Sequence, residues 1–270
     1  MLIAFFLLTF ALTWSCWIPI ALGFPLRSAP GQLLVYVGVF APAIVALALT
    51  RSRQGGGGVR RLLGRVLPVT VAARWVAFAL GYTLALKLVA ALLHRLVSGA
   101  WPTFGAGPLW VIPFAIAIST PTQAGEELGW RGYALPRLAK RLGLARASLV
   151  LGLVWAVWHL PLFFLRGSDT FGQSFVVYTV QVIAVSVAIA MLCARTKGGL
   201  FLPMLFHAAV NNTQDIVPSA TPGAHAVFSP RASVQAWLAA SLLWVCTAFI
   251  LVWMKRTEPA RAPEYARWID

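Results

Sequence analysis

Eight long apolar blocks separated by short polar breaks limit what this chain can fold into more than any other feature. They fall at 2–23, 31–50, 71–93, 108–125, 146–165, 172–194, 199–217 and 233–254. A run of about 20 apolar residues matches the hydrocarbon thickness of a bilayer. In lipid, backbone N–H and C=O groups must bond within their own segment, so such runs are read as helices. A membrane β-barrel would show short strands of alternating polarity instead, and these runs are continuous. Only 11% of the residues are charged, against about a quarter in soluble domains. Too few polar side chains remain to coat a water-facing surface. The predicted fold is therefore all-α: a polytopic membrane protein of about eight transmembrane helices. The first block lacks the basic leader of a signal peptide and is read as a retained span.

The breaks between blocks carry the orientation. Arg51, Arg53, Arg60, Arg61 and Arg65 lie between the second and third blocks, with Arg74 at the start of the third. Arg131, Arg137, Lys140, Arg141 and Arg146 lie between the fourth and fifth. Arg195 and Lys197 follow the sixth, and Lys255, Arg256, Arg261 and Arg267 follow the eighth. Those four regions hold 17 of the 22 Lys and Arg residues. The positive-inside rule puts them in the cytosol, and an even number of spans puts both termini there too. The net charge of +15 is thereby read as topology signals and lipid-headgroup anchors, with membrane lipid as the partner and no nucleic acid. The run Gln54-Gly55-Gly56-Gly57-Gly58 reads as a flexible linker in a cytosolic loop. Arg131 to Leu142 reads as an interfacial helix extension bent by Pro136. Cys16, Cys193 and Cys246 all lie in apolar blocks and form no CxxC pair, so they give neither a disulfide framework nor a thiolate metal site.

Of the seven acidic residues, Glu126 and Glu127 sit side by side at the end of the fourth apolar block. An ionisable group in a span costs about 2.5–3.5 kcal/mol on insertion scales, so two adjacent ones require a reason. On a helix Glu127 and Arg131 are i,i+4 neighbours and can pair. Glu126 points about 100° away and is available to a different partner. A charge-paired helix end would account for these residues alone. The histidines add to them. His159 lies inside the fifth block, and His207 inside the seventh, one helical turn before Asn211. His94 and His225 read as ordinary interface residues. Counted from the cytosolic side at about 1.5 Å per residue, His159 and His207 lie roughly 20 and 13 Å deep. The fourth block delivers Glu126 from the opposite direction, so the three can converge in the cytosolic half of the bilayer.

The ordered pattern Glu126-Glu127-x-x-x-Arg131, Trp155-x-x-x-His159 and His207-x-x-x-Asn211, with each motif on its own membrane helix, resembles one family. This is the CPBP family of intramembrane proteases, comprising the type II CAAX prenyl proteases and their bacteriocin-processing, immunity and abortive-infection relatives. Trp155 stands where Phe is common. The motifs cover about residues 121–212. They divide the chain into helices 1–3 (1–105), a catalytic core of helices 4–7 (106–217), and helix 8 with a cytosolic tail (218–270).

The resemblance implies a type II CAAX protease-like bundle with a water-filled cavity open to the cytosol, in a bacterial plasma membrane. It also implies hydrolysis of a peptide bond in a peptide or membrane-protein substrate. By that carry-over Glu126 and His159 activate water, His207 and Asn211 stabilise the oxyanion or bind a metal, and Glu127 and Arg131 support the site. The residues themselves leave the metal open. Glu126, His159 and His207 could be a three-ligand zinc set, or the same groups could work without metal as base and oxyanion donors. No cofactor is certain. Two other functions remain open: a non-catalytic immunity or scaffold protein, and a small proton-coupled transporter. The lack of an internal repeat disfavours the transporter.

Overall fold

A computed structural model of the chain describes residues 1–67, 70–105, 107–213, 216–217 and 226–268, with backbone alone for 258–267. The apolar blocks are helices: α1 (Leu2–Ala21), α2 (Ala29–Gly64), α3 (Ala73–Ser98), α4 (Val111–Ser119), α5 (Ala124–Glu127), α6 (Leu135–Leu142), α7 (Leu144–Trp158), α8 (Phe175–Arg195), α9 (Phe201–Thr213) and α10 (Val234–Arg267). No strand occurs among the described residues. Six helical segments are long and apolar enough to cross a membrane: Leu2–Ala21, Ala29–Gly64, Ala73–Ser98, Leu144–Phe164, Phe175–Arg195 and Val234–Thr257. Their outer faces stay apolar and uncovered, as at Leu7, Leu88, Leu96 and Phe249. Exposed large aliphatics in such numbers suit a chain solvated by lipid. The chain is an integral membrane protein with an all-α fold.

The two remaining blocks are shorter as single helices, for local reasons. The fourth block breaks after Ser119. Pro121 starts a 3₁₀ turn (Pro121–Gln123), α5 follows, then a π-helical stretch (Leu128–Ala134), then α6. A π-helix widens the turn and re-aims side chains, and it recurs at functional sites. Here it turns Arg131 inward. Arg131 is fully buried, so the expectation that this segment is interfacial does not hold for its first half. The π stretch, and not Pro136, changes the helix path. Pro136 sits in the first turn of α6, where its missing N–H leaves no bond unmade.

The glycine run also differs from its reading as a flexible linker. Helix continues to Gly64 on both sides of one break at Gly55 (φ 65°, ψ −162°), a conformation that glycine adopts without steric penalty. The second piece of α2 brings Arg65 back against the bundle. Arg65 Nε donates to Gly198 O at 2.6 Å, and its Nη1 donates to Gly132 O at 2.8 Å and Trp268 O at 3.1 Å. One guanidinium thus ties four segments together at the basic end of the molecule.

The core lies around α5 to α8. α7 packs along α8, α1 along α2, and α10 along α8 and α3. Close approach depends on two glycines. A Cβ on Gly129 would lie 2.6 Å from the Pro42 carbonyl, and one on Gly152 would lie 2.8 Å from Ile183 Cα. α1 is pinned by polar contacts within the apolar mass: Trp158 Nε1 donates to Thr13 Oγ1 at 2.8 Å, and Trp14 Nε1 donates to Trp158 O at 3.0 Å. In the absence of water such bonds orient helices that dispersion alone would leave free to slide.

Candidate active site

The short helix α5 presents Glu126 and Glu127 to different partners. Glu127 is fully buried, and its Oε1 accepts from Arg131 Nη1 at 2.9 Å. The same oxygen lies 2.9 Å from His207 Nδ1 on α9. A carboxylate only accepts, so this His207 nitrogen carries the proton. Arg131 is held further by the Trp155 ring, 4.3 Å below its guanidinium carbon, a distance suited to cation–π attraction. Glu127 and Arg131 therefore form a charge-balanced buried pair that orients His207. This is the pairing expected from the i,i+4 spacing.

Glu126 turns the other way. Its Oε2 accepts from Trp155 Nε1 on α7 at 2.7 Å. One turn on, His159 Nδ1 lies 2.9 Å from the carbonyl of Trp155. A carbonyl cannot donate, so Nδ1 is again the protonated nitrogen. Trp155 joins the groups: its ring centroid is 5.5 Å from that of His159 and 5.2 Å from that of His207. Each imidazole thus carries a proton on Nδ1, and neither Nε2 has a hydrogen-bond partner among the described residues.

Glu126, His159, His207 and Asn211 line one cavity of about 220 Å³, together with Trp155, Tyr178, Val182, Val185, Val210 and Leu243. Asn211 is the most open of the four. The cavity continues to Asp169 and Gln173, which lie in the loop joining α7 to α8. That loop is at the far end of the α7–α8 pair from Arg195 and Arg65. By its lining the cavity reaches toward that end. Toward the basic end the site rests on Trp130, Arg131, Leu135 and Trp158, all buried.

Two residues here were missed by the sequence reading, and a third was read only in part. The indole N–H of Trp155 binds the carboxylate, where only an aromatic ring was expected. Asn212, neighbour of the expected Asn211, donates from Nδ2 to Ser119 Oγ at 2.8 Å and holds α9 against α4. Tyr178 enters from α8, which carries no motif residue. Its i,i+4 relation to Ser174 and Val182 gives no sign of a site.

The donor chemistry of Glu126, His159 and His207 suits zinc, but their placement does not. Among the described residues no three His, Cys, Asp or Glu side chains are grouped to hold a metal ion. No catalytic step is therefore derived through a metal.

Two buried carboxylates and two histidines from separate helices thus meet at one cavity inside an all-helical bundle. Comparison with known proteins points to a family. Residues 106–213 match the family described as type II CAAX prenyl endopeptidase Rce1-like. The chain is 33% identical over 98 residues to CAAX prenyl protease 2 of Methanococcus maripaludis, covering 34% of this chain and 36% of that protein. The alignment thus spans about a third of the relative's length. The matched segment 106–213 holds every motif residue, and over it the chain is similar to that family.

Proposed function

We propose that the chain is an intramembrane endopeptidase that uses Glu126 and His159 to activate water against a peptide bond. The observation that carries this reading is the shared cavity of Glu126, His159, His207 and Asn211, contributed by three segments far apart in sequence. Glu126 Oε2 is engaged by Trp155, which leaves Oε1 to take a proton from water. His159 Nε2, a lone pair when the ring is neutral, is the second basic group beside it. The hydroxide oxygen attacks the scissile carbonyl carbon. The amide nitrogen then receives the proton from the base, and the C–N bond breaks to a carboxylate and an amine. Proton transfer of this kind contributes on the order of 10²–10⁴-fold. The Asn211 amide donates to the oxyanion. Glu127 and Arg131 hold His207 in place without contacting substrate.

The substrate class follows from the family: a membrane-associated peptide or protein, with a prenylated CAAX tail as the first chemistry to try. By the positive-inside rule the basic breaks favour a cytosolic location for both termini. The test uses purified protein in detergent and a farnesylated CAAX peptide bearing a fluorophore and quencher across the scissile bond. Glu126→Ala lowers cleavage about a thousandfold while membrane insertion and thermal unfolding stay as in wild type. Equal cleavage by Glu126→Ala and wild type would sink the catalytic assignment and favour a scaffold. The same assay with chelator decides whether a metal takes part.

A further inference from the structure

The chain carries 22 Lys and Arg residues against seven acids, so most of its cations have no acid within the chain to balance them. At the basic end four of them surround a second cavity of about 240 Å³. Arg61 and Arg65 reach it from the end of α2, Arg137 from the first turn of α6 and Lys197 from the turn after α8. No Asp or Glu side chain lines it among the described residues, and it shares no residue with the cavity of Glu126 and the two histidines.

The four cations are held in different ways. The Arg65 guanidinium donates to the carbonyls of Gly198, Gly132, Trp268 and Arg131. Carbonyl oxygens orient a guanidinium but do not cancel its charge. Arg137 Nη1 donates to Tyr133 O at 2.9 Å, and its guanidinium carbon lies 3.6 Å from the centroid of the Tyr133 ring. Tyr133 lines the cavity too, and its buried hydroxyl has no hydrogen-bond partner among the described residues. The Arg61 guanidinium and the Lys197 ammonium are exposed and make neither a hydrogen bond nor an ion pair. Lys197 also has a φ of 52°, and no other non-glycine residue among those described has a positive φ. A lysine is disfavoured in that conformation, which glycine adopts freely, and backbone outliers of this kind gather at ligand sites.

We propose that this cavity is a phosphate-binding site, filled at its depth by the headgroup of an anionic phospholipid. Its cations and the phenol O–H offer several donors with no carboxylate among them. A phosphate, with its several oxygens, can meet more than one of them at once. The span Phe175–Arg195 ends two residues before Lys197, which puts the cavity at the level of lipid phosphates and not in the hydrocarbon. Basic pockets between helices at this level suit anionic headgroups. The site stands apart from the protease reading, and its readout is binding.

The test follows the thermal unfolding midpoint of the purified chain in neutral detergent. The probes are dioctanoyl phosphatidic acid, dioctanoyl phosphatidylcholine and inorganic phosphate. Phosphatidic acid raises the midpoint saturably by about 5 °C, and phosphatidylcholine leaves it nearly unchanged. Inorganic phosphate separates the sources: a shift only at far higher concentration supports the headgroup, and an equal shift at equal concentration keeps the phosphate chemistry but overturns the lipid source. The double variant Arg61→Gln/Lys197→Gln weakens phosphatidic acid binding at least tenfold. Both side chains are exposed, so without ligand it unfolds as wild type does. The control Lys140→Gln/Arg141→Gln removes the same charge from the exposed end of α6, outside the lining, and binds as wild type does. Equal weakening by the two double variants would show attraction to the basic face at large and overturns the proposal. Equal shifts with both lipids overturn it too. So does the lack of a saturable shift with phosphatidic acid and with phosphate, the result expected if a carboxylate of the chain's own C-terminal stretch fills the cavity.

Discussion

The two ends of this bundle are built by different rules. At the basic end, α6, the π stretch and the second half of α8 are buried almost without interruption, from Leu128 to Pro136 and from Ala184 to Ala194. Arg65 ties its carbonyls together there. At the other end, α4 and the last turns of α3 are largely uncovered, and the cavity runs out toward Asp169 and Gln173. The groups proposed to be catalytic stand at the junction. Their holding partners (Arg131, Trp155 and the Glu127 carboxylate) belong to the packed end, while their free atoms face the cavity. The contrast shows how a membrane protein can place carboxylates at depth. One end is dense enough to fix them by hydrogen bonds, and the other is loose enough to admit water and substrate.

If that division is right, the largest loss of stability comes from breaking the buried pair. Arg131→Met or Glu127→Leu leaves one unpaired charge in the packed end and costs about 3–5 kcal/mol. Thermal unfolding in detergent measures it. The double variant Glu127→Leu/Arg131→Met recovers more than half of that loss, because no lone charge remains buried. Equal damage from the double and single variants would mean that shape, and not charge pairing, holds this end.

A smaller effect of the same kind is expected at Gly129. An added methyl group meets the Pro42 carbonyl at 2.6 Å, and the backbone on both sides must move. Gly129→Ala destabilises by about 1–3 kcal/mol. Because it separates α2 from the start of the π stretch, it also lowers kcat more than it raises KM. Smaller again is Asn212→Ala, which removes the bond to Ser119 at 2.8 Å. About 1 kcal/mol is expected, read by the same unfolding assay, since the site is only partly buried.

The contrast between the ends also explains what the sequence made legible. Span positions could be read because lipid demands continuous apolar runs, and Leu2–Ala21 and Phe175–Arg195 lie close to the blocks expected. Glu126, Glu127, His159 and His207 could be found because charge and imidazole are rare in such runs. Spacing alone was enough to pair Glu127 with Arg131. The π stretch was not legible, because its cause is tertiary: the helix widens where Arg131 reaches both Glu127 and the Trp155 ring. Neither was the break at Gly55. Four consecutive glycines all permit φ > 0, and packing chooses which of them takes it. The role of the Trp155 N–H escaped because an aromatic residue in an apolar helix carries no polar signal until its N–H is seen beside a partner. Arg131 to Leu142 was misjudged because a basic segment next to a span usually lies at headgroup depth, and here the pairing with Glu127 draws Arg131 into the core.

The smallest effect on stability is the one that tests the open end. Leu86 of α3 is half-buried and lines the cavity with Thr83 and Lys87. Leu86→Phe adds volume where the packing is loose, so stability should change by less than about 0.5 kcal/mol. The added ring narrows the space in front of His207 and Asn211 without touching any group that holds them. Cleavage should then fall through KM, roughly tenfold, with kcat little changed. This is the reverse of the pattern expected from Gly129→Ala, in which the holding end is disturbed and the cavity is not. A Leu86→Phe variant that unfolds as readily as Gly129→Ala would show that the far end is packed as tightly as the basic end. The cavity would then be a seam that opens only when substrate separates α3 from α8.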